Sequence, residues 1–313
     1  MQRRIPKREE FPYFPENVKI HPNVDLRDLM PGCSKPDCIP SIDNPKWLNT
    51  SEAKNLYKQS DQVLGMILLK DNKIVESYAF PINIMNYHEI VNFSTLSEDP
   101  IAITFCPLCS TSSAYNRIIN GDEIILGVSG LLYNSALIMY DRNSMSLISQ
   151  VWSKGIVGKY VNVSLPQLPV IQTTLSQWIV KFPDSNVLST DTGFKRYFKL
   201  YDKNPYVDYL KDDKIRFPLS RDISSELPAK EVVYLVRFSE KRQIIIPKSK
   251  LRNKTEEVSE GIYSYCLGNG HIFFSSEPIG DHDSPNFPWS NIIPSEISFY
   301  FAARAYYPDA ELK

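Results

Sequence analysis

The sequence predicts a strand-rich α+β protein, with mixed and antiparallel sheets and a few covering helices. Three features carry this expectation. Prolines outnumber glycines, 23 to 12 in 313 residues, which favours many short elements joined by rigid turns over long helices. Aromatic residues make up 12% of the chain, with 18 tyrosines, and suit sheet faces and the helices that lie on them. Short apolar runs also flank strong hairpin dipeptides such as Asn120-Gly121 and Asn269-Gly270.

Residues 1–50 hold eight prolines, too many for a central strand or a helix interior, and read as an arm wrapped on the body. Residues 51–313 read as one domain. Ser51 is placed to cap a short helix to Tyr57, and residues 63–69 and 74–80 form a hairpin across Asp71-Asn72. Strands at 101–105 and 114–118 follow, and Asn120-Gly121 returns the chain through 123–128. Further runs at 136–140 and 147–152 read as strands. Thr174 to Gln177 has capping-box spacing, opening a helix through 178–182 that Pro183 ends. Strands then fall at 232–238, 243–246, 261–266 and 271–275, and Ser295 starts a last helix over 296–307 that Pro308 stops. A worn duplication relates about 60–165 to 228–280: Phe80-Pro81 with Met85 matches Ile246-Pro247 with Leu251, and Phe105-Cys106 matches Tyr265-Cys266.

Composition narrows the function classes. Apolar residues at 42% and charged residues at 23% describe a chain that folds. Thirty-five basic against 36 acidic residues give a net charge of −1, so no global field draws nucleic acid. The longest apolar stretch, 63–69, is far too short for a membrane-spanning helix. The amino terminus lacks the apolar core of a secretory signal, and a cytoplasmic location is expected.

The sharpest chemical signal is Cys106-Pro107-Leu108-Cys109, where two sulfurs in a tight turn can grip one metal or form a small disulfide. No second Cys-x-x-Cys exists, so further ligands must come from elsewhere. His88 is the first candidate, one of only four histidines, followed by Cys266 or His271. A set of His88, Cys106 and Cys109 suits zinc or copper, with Met139 a weak axial ligand for copper. Glu89 or Asp141 would then move protons for a small substrate. The segment 127–135, with Ser129 and Asn134, reads as a small-residue turn able to offer backbone N–H groups to a ligand. Tyr197, Tyr201, Tyr206 and Tyr209 surround Asn204-Pro205 and line a pocket or pack an irregular loop. Cys33 and Cys38 in the arm are expected to be free. His21 and His282 carry no assigned role. Two other readings stand beside the metal pocket: a non-catalytic binding or interaction module in which the same residues tie half-repeats together, and a thiol redox protein using Cys106 and Cys109.

Several segments together resemble the domain of unknown function 3179 family. They are residues 42–46 (IDNPK), 88–92 (HEIVN), 106–109 (CPLC), 127–141 (GVSGLLYNSALIMYD), 191–193 (DTG), 204–206 (NPY) and 301–309. The likeness runs from about Pro40 to Pro308, with Ile148 standing where a tryptophan is usual before Ser149-Gln150. The resemblance implies a common fold and a site among these segments. It implies no reaction.

Overall fold

The computed structural model describes residues 6, 9–71, 73–239, 241–251, 256–267, 271–278 and 291–313. The α+β expectation is overturned. The protein is nearly all-β, its sheets arranged as a five-bladed β-propeller, and the four α-helices among the described residues are seven residues each. Helices that short cover blade ends and make no layer of their own.

Blade I has the order Val170–Thr174, Gln62–Lys70, Lys73–Pro81, Asn186–Leu188, Trp47–Leu48. Blade II is Gln167–Leu168, Thr111–Asn116, Pro100–Cys106, Ile90–Ser94. Blade III is Met30–Pro31, Leu126–Tyr133, Ala136–Asp141, Leu147–Ser149, Lys154–Val157. Blade IV is Ser295–Phe299, Val232–Ser239, Arg242–Pro247, Glu311–Leu312, and blade V is Glu256–Ser259, Ile262–Leu267, His271–Ser275, Ile292–Ile293. Hairpins build the middle of each blade, while distant sequence supplies both edges of blades I and IV and one edge of blades II and III. The succession hairpin, helical turn, three-stranded meander occurs twice: blade I to blade II through α2 (Ile82–His88), and blade IV to blade V through the 3-10 turn Lys248–Lys250.

Local chemistry explains most elements. Asn120 and Gly121 take φ of 52° and 85° and turn Ile118–Ile119 onto Asp122–Glu123. Thr174 caps α3 (Leu175–Lys181) by accepting the Gln177 N–H at 3.4 Å. Helix α1 (Thr50–Leu56) starts one residue earlier than expected, because Asn49 and Glu52 form its capping box in place of Ser51. The hairpin expected across Asp71-Asn72 is present, with Asn72 itself outside the described residues; Asn269-Gly270 and His282 also lie outside them.

Two expectations fail for tertiary reasons. The last helix is split: Ser295–Phe299 pairs along Val232–Val236, leaving only Tyr300–Tyr306 helical as α4. An open edge of blade IV outcompetes local helix propensity there, since pairing satisfies a row of backbone groups at once. Residues 127–135 are not a turn either. Leu126–Tyr133 is a buried strand that bulges between Val128 and Leu132, and only Asn134-Ser135 turns, at φ of 50° and 57°.

The proline-rich first fifty residues contribute to the core. Phe11 and Tyr13 are buried in the largest core cluster, and the Tyr13 hydroxyl donates to the Ser129 carbonyl at 3.0 Å. Cys33 and Cys38 are disulfide-bonded, against the expectation that they are free. The loop they close docks on the blade III bulge: the Asp37 N–H reaches the Val128 carbonyl at 2.8 Å, and the Asp37 carboxylate accepts the Tyr140 hydroxyl at 2.6 Å.

Blade I packs against α3 through one close approach. A Cβ on Gly65 would lie 2.1 Å from the buried Trp178 ring, whose indole N–H is held by the Ser185 hydroxyl at 2.8 Å. Gly65→Ala is therefore expected to cost about 2 kcal/mol or more in urea unfolding. Gly121→Ala, with nothing within 4 Å of the added carbon, costs only the backbone penalty of about 1 kcal/mol. Equal midpoint shifts for the two variants would contradict the Gly65–Trp178 contact.

Candidate functional site

Helix α2 delivers His88 and Glu89 to opposite sides of the backbone. Pro81 fixes the entry, and Glu89 ends the helix in the left-handed region (φ 60°, ψ −30°), its N–H bonded to the Met85 carbonyl at 2.8 Å. A non-glycine residue in that conformation is strained by roughly 1 kcal/mol or more. The turn places the Glu89 carbonyl on the Phe105 N–H at 2.7 Å and its side chain next to Cys106.

His88 is fully buried and both ring nitrogens are engaged. Nδ1–H donates to the Pro40 carbonyl at 2.8 Å, so Nε2 accepts from the Tyr201 hydroxyl at 2.6 Å, which in turn bonds the Thr192 hydroxyl at 2.7 Å. Phe194 and Tyr197 pack on the ring. Burial, with Arg196 nearby, lowers its pKa to about 4, opposed by the Pro40 bond. The ring is neutral and has no lone pair left for a metal.

Cys106 and Cys109 are free thiols buried in the core cluster of blade III and the arm. Burial and the neighbouring Cys109 thiol push Cys106 up, away from the thiolate. Their hairpin ties other parts of the chain: the Cys109 carbonyl accepts the Phe299 N–H at 2.8 Å, and the Leu108 carbonyl accepts the Tyr209 hydroxyl at 2.9 Å. Glu89 is 6% exposed, and its carboxyl has no hydrogen-bond partner among the described residues; burial first and Cys106 second raise its pKa well above the usual carboxylate value.

The expected metal set is not assembled. Among the described residues no group of three or more His, Cys, Asp or Glu side chains is placed to hold a metal ion. Since His88 is spent on Pro40 and Tyr201, the set of His88, Cys106 and Cys109 lacks its imidazole, and the zinc or copper centre built on it fails. Met139 is buried in Ala136–Asp141, Cys266 lies in blade V, and the His271 side chain is outside the described residues.

The other site candidates have structural partners. Both Asp141 oxygens accept backbone N–H groups, from Ile125 at 3.1 Å and Ser144 at 2.8 Å, which pins a turn. The Ser129 hydroxyl donates to the Ile138 carbonyl and accepts the Leu131 N–H at 3.0 Å, stitching the bulge. The Asn134 Oδ1 accepts the Ser220 N–H at 2.7 Å, while its Nδ2 is buried with no partner among the described residues. Neither Ser129 nor Asn134 faces the cavity described next.

A sizeable opening lies elsewhere. A cavity of about 720 Å³ is lined by Trp152, Lys154, Arg221, Arg237, Gln243 and Asp309, among others, from blades III and IV and the chain beyond α4. Its floor is a buried ion pair: Arg237 meets Glu296 at 2.5 Å and also donates to Ser153 at 3.2 Å, while Glu296 accepts from Ser113 at 2.6 Å and Gln167 at 2.9 Å. Burial raises the Glu296 pKa, and Arg237 opposes that shift. Sequence reasoning missed this cavity. The available signals were single charges inside apolar strands, Arg237 in VVYLVRFS and Glu296 in SEISF, residues rarely buried unless paired.

His88 yields a pH prediction. Its folded pKa lies below the unfolded value of 6.5, so folding excludes a proton and the resulting stability is fully present above pH 6.5. That stability is lost as pH falls from 6.5 towards about 4 and amounts to about 3 kcal/mol. In His88→Gln the corresponding slope of stability between those pH values should vanish; an unchanged slope would mean that His88 protonates freely in the fold.

The family model described as "Protein of unknown function (DUF3179)" matches residues 36–270. No curated protein and no solved structure matches the chain. With most of its length covered by that model, the chain belongs to the DUF3179 family.

Proposed function

We propose that the protein is a non-catalytic binding module whose propeller receives a small polar molecule in the cavity above Arg237. The observation that carries this reading is the cavity itself. At about 720 Å³ it lies within the size range of small-ligand sites, and its wall combines the rings of Trp152, Tyr306 and Tyr307 with several polar side chains. The residues with obvious chemical reactivity support it from the other side. His88, Asp141 and Ser129 spend their polar atoms on internal bonds, and the thiols are held as thiols inside the core.

A second reading rests on one observation, the unpartnered Glu89 carboxyl beside Cys106 and Cys109. In it Glu89 accepts the Cys106 proton, the thiolate attacks a disulfide reagent, and Cys109 resolves the mixed disulfide, so two thiols are oxidised and one disulfide reduced. Treatment with oxidised glutathione followed by thiol titration tests it: a reversible loss of two thiols, abolished in Cys109→Ser, is required.

The binding reading is tested by ligand-observed NMR on mixtures of polar metabolites, using the natural protein and Ser164→Trp. Ser164 is exposed and lines the cavity, so the indole fills the opening without entering the core. Bound compounds should give saturation transfer with the natural protein and lose it in Ser164→Trp. A ligand present at a hundred times its Kd should also stabilise the fold by about 2.7 kcal/mol. Signals that persist unchanged in the variant, or none with either protein, would refute the cavity as a binding site.

A further inference from the structure

We infer that the buried pair Cys106 and Cys109 is oxidised to a disulfide by hydrogen peroxide, with Glu89 carrying the proton and Tyr206 donating to the leaving oxygen. The inference rests on the second reading above, thiol chemistry at this pair, and names its oxidant. The Phe105 N–H on the Glu89 carbonyl at 2.7 Å and the pairing of Ile90 with Thr104 set Glu89 beside the end of the strand that Cys106 closes. Across the turn, the Cys109 thiol points at the Cys106 carbonyl at 3.9 Å and acts directly on the Cys106 thiol. Tyr206 packs against the same core cluster. Its hydroxyl has no hydrogen-bond partner among the described residues and lies within electrostatic reach of Glu89 and Cys106. Parts of the chain around residues 89, 106 and 206 thus meet at one place.

Access selects the oxidant. Cys106 is 1% exposed and Cys109 0%. The segment 206–212 is fastened onto their turn: the Tyr209 hydroxyl donates to the Leu108 carbonyl at 2.9 Å, and the Lys230 ammonium donates to the carbonyls of Tyr209 and Asp212. Exchange with a disulfide requires the attacking sulfur in line with both sulfurs of the reagent, so the bulk of the leaving half must enter as well. Hydrogen peroxide brings only its pair of oxygens, each able to use the Glu89 carboxyl and the Tyr206 hydroxyl.

The steps balance with these groups alone. Glu89 takes the Cys106 proton while the sulfur attacks one peroxide oxygen; an S–O bond forms, the O–O bond breaks, and the leaving oxygen takes the proton from Glu89 and departs as water. Cys109 then attacks the sulfenic sulfur; an S–S bond forms, the S–O bond breaks, and the hydroxyl leaves with the Cys109 proton as a second water. Two thiols are oxidised and one peroxide is reduced. Burial first and Cys106 second raise the Glu89 pKa, which makes its carboxylate a stronger base towards a thiol.

Timed exposure of the full chain to hydrogen peroxide, or to the same concentration of oxidised glutathione, followed by acid denaturation and thiol titration, tests the assignment. With Cys33 and Cys38 already paired, Cys106, Cys109 and Cys266 are the free thiols. Peroxide should remove the Cys106 and Cys109 thiols reversibly, at least about tenfold faster than oxidised glutathione does, a barrier difference of about 1.4 kcal/mol. Cys106→Ser should keep its remaining thiols, and Cys109→Ser should stop at a sulfenic acid that dimedone traps. Glu89→Gln should slow the loss about a hundredfold, and Tyr206→Phe about tenfold, the worth of one hydrogen bond. Oxidised glutathione acting as fast as peroxide would overturn the choice of oxidant and leave disulfide exchange standing. A loss that persists in Cys106→Ser, or that is as fast in Glu89→Gln and Tyr206→Phe as in the natural protein, would overturn the assigned centre. Retention of every thiol against both reagents would overturn this inference and the second reading together.

Discussion

The structure depends on a buried arginine and glutamate that hold three blades together. Arg237 and Glu296 sit on neighbouring strands of blade IV, yet their remaining bonds leave that blade. Arg237 donates to the Val151 carbonyl and the Ser153 hydroxyl near the last strand of blade III, and Glu296 accepts from Ser113 and Gln167 of blade II. Two charges taken out of water repay their desolvation only when geometry and extra hydrogen bonds are good. Here the extra bonds come from other blades, so the pair gains them only when the propeller is closed, although Arg237 Nε and Glu296 Oε2 stay unpartnered among the described residues. Arg237 of the same pair also lines the polar cavity described above, which couples closure of the ring to the shape of that opening.

A single backbone residue separates the parts that the sequence places side by side. His88 and Glu89 are neighbours, but the left-handed turn at Glu89 sends the imidazole towards Pro40 and Tyr201 and the carboxyl towards Cys106. The first environment belongs to the core between blades I and II, the second to the core under blade III and the arm. Proximity in sequence is therefore a poor guide to a shared site wherever φ changes sign, because adjacent side chains then leave the backbone in unrelated directions.

The arm shows how a proline-rich segment contributes to a β protein without supplying a central strand. Its strands pair only at sheet edges, Met30–Pro31 on Leu131-Leu132 and Trp47–Leu48 on Val187-Leu188, with single bridges from Ile20 to Val157 and from Ile42 to Val91, and at an edge a missing N–H costs little. Between them the Cys33–Cys38 loop and the cluster of Arg142 with Asp37, Ser41 and Asp43 fasten the arm to the outer face of blade III. Family segments near Pro40 and Asp141 that look unrelated in sequence meet here as one salt-bridged seam.

The sequence by itself determined what is local: the turn at Asn120-Gly121, the cap at Thr174, the paired strands around residue 72 and residue 240, and the close-spaced thiols of one hairpin. These follow from φ preferences, hydrogen-bonding side chains and alternation within a few residues. Tertiary structure alone decided which distant strands complete each blade, that residues 295–299 pair and do not coil, and that His88 faces a tyrosine and not a thiol. It also decided where Lys154, Arg221 and Arg237 converge. Those outcomes arise from contacts between residues tens to hundreds of positions apart, whose energies no local pattern encodes.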